Sequence, residues 1–238
     1  MQDMDRLSDI RRELRQAADP AKARLLAGFF KIGPGEYGAD DRFLGVMVPE
    51  SRRIAKRHGG APLAVLDRLL GSAIHEERLV ALLILVDRYA EGDAKTKTDA
   101  YRFYVSRFSR INNWDLVDLS APRIVGQHLL NRSRTPLHRW TRSRHLWTRR
   151  IAVIATLAFI AHRDFADTLA IADRLLADRH DLIHKAVGWM LREVGKRSVA
   201  ELESFLKPRY RRMPRTMLRY AIERLPERRR IAYLKGKI

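Results

Sequence analysis

Apolar residues recur at three- and four-residue spacing along most of this chain. Leu79, Leu82, Leu83 and Val86 form one such set, Ile151, Ile154, Ala155 and Ala158 a second, and Val187, Met190, Leu191 and Val194 a third. That spacing places each set on one face of a 3.6-residue helix. Runs of alternating apolar and polar residues, the mark of half-buried strands, are missing. Turn signals fall between the helices, at Gly59-Gly60, Gly92-Asp93, Thr135-Pro136, Pro208 and Pro214. The pattern predicts an all-α protein.

The helices also repeat. Arg78-Leu79-Val80-Ala81, Arg150-Ile151-Ala152-Val153, His184-Lys185-Ala186-Val187 and Leu218-Arg219-Tyr220-Ala221 align on their alanines, with gaps of 71, 34 and 35 residues. The first gap equals two units, and the missing unit falls near residue 117. A period of roughly 35 to 45 residues, with a basic residue just before an apolar helix, predicts an α-solenoid of helix pairs that stack into a curved array. Residues 1–238 are then one repeat domain. The competing reading is an irregular helical bundle with accidental spacing. One segment breaks the pattern: Gly33-Pro34-Gly35-Glu36-Tyr37-Gly38-Ala39-Asp40-Asp41 reads as a loop, followed by Phe43-Leu44-Gly45-Val46 and by Pro49 at a helix start. Its glycines match no phosphate-cradle fingerprint. It is expected to be an ordered structural loop first and a DNA-edge contact second.

Charge changes the picture more than composition does. The 238 residues carry 47 Lys+Arg against 28 Asp+Glu, a formal +19, and arginine dominates the basic set. Such an excess is best tolerated beside an anionic partner, and nucleic acid is the foremost candidate. Between Asp118 and Asp164 there is no acidic residue, yet that window holds nine arginines. With no cysteine, disulfides, iron–sulfur clusters and thiolate zinc sites are excluded. The first twelve residues lack the apolar core of a signal peptide, and the longest apolar run, Ile151 to Ala161, is about half of the ~20 residues that span a bilayer. A cytoplasmic, nucleoid-associated protein is expected.

Candidate chemistry sits at the edge of the acid-free window, in Asn113-Trp114-Asp115-Leu116-Val117-Asp118. Asn113 is a good N-cap, and Trp114 and Asp118 are then i and i+4 on one helix face. Asp115 falls on another face, near the positive helix end. Arg149 and Arg150 open the next repeat's inner helix, where free N–H groups and arginine forks can hold phosphate. Lys185 and Trp189 lie in the repeat after that. Singly, each has a plainer reading: a salt bridge for Asp118, core packing for the indoles, a solvated pair for the arginines, a close helix contact for Gly188. Equivalent repeat positions line one surface, which predicts a concave basic face bearing indoles and one carboxylate. His180 and His184 are also i and i+4, but a surface pair explains them better than a metal site.

At these residues the chain resembles the DNA alkylation repair family, the AlkD-like glycosylases built from HEAT-like repeats. The likeness covers nearly the whole length. It runs through Gly33 to Gly38, Phe43 to Pro49 with Arg52-Arg53, Asn113 to Asp118, Trp147-Thr148-Arg149-Arg150-Ile151-Ala152, and Lys185 to Glu193. The resemblance implies a monofunctional glycosylase, acting as a monomer without metal or organic cofactor, that removes N3- and N7-alkylated purines from double-stranded DNA. Asp118 would be the catalytic aspartate, Trp114 and Trp189 its aromatic companions, and Arg149 or Arg150, with Lys185, the backbone contacts. It also implies engagement of the lesion from the backbone side. Some members carry a tyrosine near the end of an N-terminal helix, where this chain offers Phe29 or Phe30. A repeat protein that binds nonstandard or branched DNA without catalysis is the chief alternative. A helical scaffold for an acidic protein is a third.

Overall fold

A computed structural model describes residues 2–238, and among them the only regular structure is helical. Contacts gather the chain into two compact units, one up to Ser120 and one from Ala121 to Ile238. The first holds α1 (Gln2–Gln16), α2 (Pro20–Phe29), α3 (Val48–Arg57), α4 (Leu63–Leu70), α5 (His75–Glu91), α6 (Ala94–Val105) and nearly all of α7 (Trp114–Ala121). The second begins with a π-helical turn at Pro122–Gly126. It continues with α8 (Gln127–Leu129), α9 (Thr135–Trp140), α10 (Leu146–Ala155), α11 (Leu157–Ala161), α12 (Ala166–Arg174), α13 (Asp181–Arg197), α14 (Val199–Leu206), α15 (Arg215–Ala221) and α16 (Glu227–Leu234). The helical, solenoid-like class that the periodicity predicts is the class observed.

In the first unit α5 is the central element, with α3, α4 and α6 packed against it. Leu79 to Val86 is buried on every side, as expected for a helix apolar all round. The first turn of the same helix is different. His75, Glu76, Glu77 and Arg78 are consecutive, ionisable and buried. Burying four such groups is tolerable only if each finds a partner, and each does. Glu77 pairs with Arg11 of α1 at 3.0 Å, and Arg78 donates to the Ser72 carbonyl at 2.8 Å and to Asp41. Glu76 accepts from three successive backbone N–H groups: Leu44 at 3.0 Å, Gly45 at 2.8 Å and Val46 at 3.2 Å.

The Gly33–Asp41 segment is the ordered loop expected. Two backbone bonds tie its end to the start of α5, Arg42 N–H to the Ala73 carbonyl at 2.9 Å and His75 N–H to the Arg42 carbonyl at 2.8 Å. Asp41 is thereby delivered to the buried turn.

In the second unit three helices stack in one direction. Arg150 at the start of α10 reaches the Leu182 carbonyl at the start of α13, while Arg192 late in α13 pairs with Glu223 just past α15. Ala152, Ala186 and Ala221, the residues on which the repeats align, are buried at these seams, as is Ala81 in α5. Gly188 explains the closest seam. A Cβ there would lie 2.5 Å from the Met217 carbonyl oxygen and 2.5 Å from the Tyr220 Cβ, so only glycine lets α15 approach.

Candidate functional site

Trp114 and Asp118 lie one turn apart on α7, both half-buried. Asn113 stands at the start of that helix, fully buried, and does more than cap it. Its Oδ1 accepts from the Trp114 N–H at 2.8 Å, and its Nδ2 donates to Asp41 Oδ2 at 2.8 Å. Asp115 is also buried, in the first turn of the helix as expected, and its Oδ1 accepts from the Leu116 N–H at 2.8 Å. Its Oδ2 lies 2.7 Å from His75 Nε2, and the other ring nitrogen, Nδ1, lies 2.9 Å from Asp41 Oδ2.

Two carboxylates facing both ring nitrogens favour a doubly protonated imidazolium. Burial opposes that charge most strongly. The Asp115 charge, with hydrogen bonds from His75 to Asp115 and Asp41, overcomes it and raises the His75 pKa to about 9. Asp41 moves the other way. Burial works against its ionisation, but bonds from His75 and Asn113 and the Arg78 charge hold its carboxyl below the ordinary carboxylate range.

A histidine whose pKa is raised on folding stabilises the native state fully below its unfolded value, about 6.5, and loses that contribution as pH rises through about 9. Thermal stability is therefore expected to fall across that window, with a limiting slope of about 1.4 kcal/mol per pH unit. His75→Gln should flatten the profile between those two values. A wild-type melting temperature unchanged from pH 6.5 to 9 would contradict the imidazolium.

Aromatic rings cover this ionic group. Phe43 stacks on the His75 ring at 4.7 Å, Phe30 lies 5.0 Å from it, and Phe30 stacks on Trp114 at 5.1 Å. Phe29 meets Trp114 edge-on at 5.6 Å and is 64% exposed. Of these two phenylalanines, Phe30 is thus interior and Phe29 reaches solvent. Asp118 is felt by Tyr104, whose phenol is raised above its ordinary value by burial first and by the Asp118 charge in addition. Tyr104 in turn bonds Ser120 at 2.8 Å.

The remaining candidates lie in the second unit. Arg149 is held by Asp178 at 2.7 Å and donates to the carbonyls of Ser143 at 2.9 Å and Arg144 at 3.0 Å. Arg150 is only 5% exposed and donates to the Leu182 carbonyl at 2.6 Å. The pair that the sequence leaves undivided is thus divided by burial. Lys185 Nζ is 2.7 Å from Asp181, and the half-buried Trp189 donates its indole N–H to Glu193 at 3.2 Å. Trp147 is core. His180 caps α13 by accepting the Leu182 N–H, and His184 bonds the Asp178 carbonyl.

The structure therefore gathers Trp114 with Phe29 and Phe30 in one unit, beside Asp118 on the same helix. In the other it gathers Lys185 and Trp189 on α13, with Arg149 and Arg150 on the helix packed against it. Asp41, His75 and Asn113 were not read as site residues. The available signal was a His-Glu-Glu-Arg run in the same helix as the apolar stretch Leu79–Val86 and directly before it. Among the described residues no group of three His, Asp or Glu side chains is arranged to hold a metal ion, and no helix is long and apolar enough to cross a membrane.

The charge is unevenly shared. Lys and Arg number 20 against 18 Asp and Glu up to Ser120, but 27 against 10 from Ala121 onward. The attraction for a polyanion resides chiefly in the second unit.

A half-buried carboxylate beside an aromatic cluster, in an all-helical chain with so basic a second half, fits a class of DNA-processing repeat proteins. The family model for the DNA alkylation repair enzyme matches residues 10–225, and the chain belongs to that family. Among solved structures, a predicted DNA alkylation repair enzyme from Enterococcus faecalis superposes with a TM-score of 0.68 at 17% identity, covering 88% of this chain and 97% of that one. At that identity the likeness speaks for the fold. No match was found among curated proteins.

Proposed function

We propose that the protein is a monofunctional DNA glycosylase, acting as a monomer, that hydrolyses the N-glycosidic bond of N3- and N7-alkylated purines in duplex DNA. The observation that carries this reading is Asp118 one turn from Trp114, on a helix whose indole is backed by Phe30 and edged by Phe29. An alkylated purine is already cationic, so no strong acid is needed to make it leave. As the C1′–N bond stretches, its electron pair neutralises the purine and positive charge grows on the deoxyribose. A fixed carboxylate stabilises that charge and orients the water whose oxygen bonds C1′. Free base, an abasic site and one proton result. Indole faces add about 0.5–2 kcal/mol of attraction for neighbouring positive charge, the role assigned to Trp114. Arg149, the more exposed of its pair, is assigned to the phosphate backbone with Lys185, and Arg150 to holding the seam from which Arg149 projects.

The test is release of free base from methylated duplex by the purified protein, measured chromatographically. The basic excess of the second unit would equally serve a non-catalytic binder of branched DNA, and that reading holds if duplex is bound and no base appears. Either way binding should weaken steeply with salt, with a log–log slope of about −0.9 per phosphate neutralised. A flat salt response in a binding titration would point instead to an acidic protein partner.

A further inference from the structure

We propose that His75 is a positioning residue for the glycosylase reaction, fixing the rotation of α7 and hence where Trp114 and Asp118 point. This rests on the reading above and deepens it. Three consecutive residues at the start of α7 are each anchored to the same small group. Asn113 Nδ2 donates to Asp41 at 2.8 Å, the Trp114 ring stacks on Phe30 at 5.1 Å, and the Asp115 carboxylate receives His75 Nε2 at 2.7 Å. All three anchors meet at one side chain. Asp41 receives His75 Nδ1 at 2.9 Å, Phe43 stacks on the imidazole, and Phe30 lies tilted beside it.

The charges in this group are Asp41 and Asp115, balanced by His75 and Arg78. Burying four charged groups is poor value for stability alone, because well-packed apolar residues would serve at least as well. What ionic hydrogen bonds add is direction. Apolar contacts let a helix roll by a few degrees at little cost, whereas a carboxylate on a ring nitrogen does not. Asp118 follows Asp115 by three residues, so any roll at Asp115 carries over to the carboxylate assigned to catalysis. Displacing a reacting group by about 1 Å costs on the order of 100-fold in rate.

His75→Gln keeps hydrogen-bonding capacity and loses the charge; Asp115→Asn keeps an acceptor for His75. Each is measured for single-turnover release of base from methylated duplex, for the dissociation constant of the same duplex, and for amide hydrogen exchange. The expected result is release slowed by about 10- to 100-fold, with affinity changed by less than about threefold. The double variant should be no slower than the slower single one, because the two act as a unit. Exchange should quicken at residues 113–118 and stay unchanged in α10 and α13. Wild-type release by both variants would overturn the proposal. So would exchange quickened throughout the first unit together with equal losses of rate and affinity, the mark of a merely structural role. If His75→Gln does not fold, Asp115→Asn carries the same measurements. If the wild-type protein itself releases no base, the glycosylase reading fails, and the clamp is then decided by exchange: quickening confined to 113–118 upholds it, and no change refutes it.

Discussion

Asp118→Asn is expected largely to abolish release of free 7-methylguanine from methylated duplex, slowing it by at least about 100-fold, the usual scale for removing one preorganised electrostatic stabiliser. The substitution is nearly isosteric and the residue is half-buried on a regular helix, so the fold should persist. Duplex affinity should hold or rise, since a negative charge near phosphates is lost while the 27 basic residues from Ala121 onward remain. Activity and binding thus part company, which neither unfolding nor loss of a DNA contact would produce. Single-turnover release paired with a binding titration reads both quantities. Release at the wild-type rate would remove Asp118 from the chemistry and leave the non-catalytic reading in its place.

Much of the frame behind that prediction was legible in the sequence. Val187, Met190, Leu191 and Val194 report α13, and the aligned alanines fall at buried seams. Periodicity reads such features well because apolar burial repeats with the helix turn. It is blind to ion pairs between distant segments. Nothing local says that the carboxylate of Asp115 will meet a histidine 40 residues upstream, or that Glu76 will gather the N–H groups of a loop 30 to 32 residues before it. The acid-free window misleads for the same reason. Arg134 finds Asp164 and Asp167 at 2.6 and 2.8 Å, and Arg149 finds Asp178 at 2.7 Å, so acids that are remote in sequence enter the cationic patch in space. The helix carrying Asp118 could be read from the chain; the buried polar group that orients it could not.

That loop supplies the second large effect. Gly45→Ala and Glu76→Gln are each expected to destabilise the protein by several kcal/mol. Gly45 has φ of +85°, and a Cβ there would lie 2.1 Å from the Asp19 carbonyl oxygen and 2.7 Å from the Ala23 nitrogen. Both obstacles are backbone at the start of α2, so no side chain can swing away. Glu76→Gln replaces the ionised acceptor of the Leu44, Gly45 and Val46 N–H groups, all of which reach Oε1, with a neutral one, and sets a donor in place of Oε2, which also accepts from Leu44. Three hydrogen bonds to a charged group become bonds to a neutral one, at about 1 kcal/mol each. For a domain of this size each kcal/mol lowers the melting temperature by about 2–4 °C, so drops near 10 °C are expected in circular-dichroism melts. A change within about 2 °C in both variants would mean that the loop is not the structural clasp described. The start of α2, the helix that ends at Phe29 and leads into Phe30, is tied to this clasp through the Asp19 N–H bond to the Leu44 carbonyl at 2.9 Å. Loosening the loop should therefore loosen the backing of Trp114 as well, and base release at a temperature below the melt should fall further in these variants than their folded fraction alone accounts for.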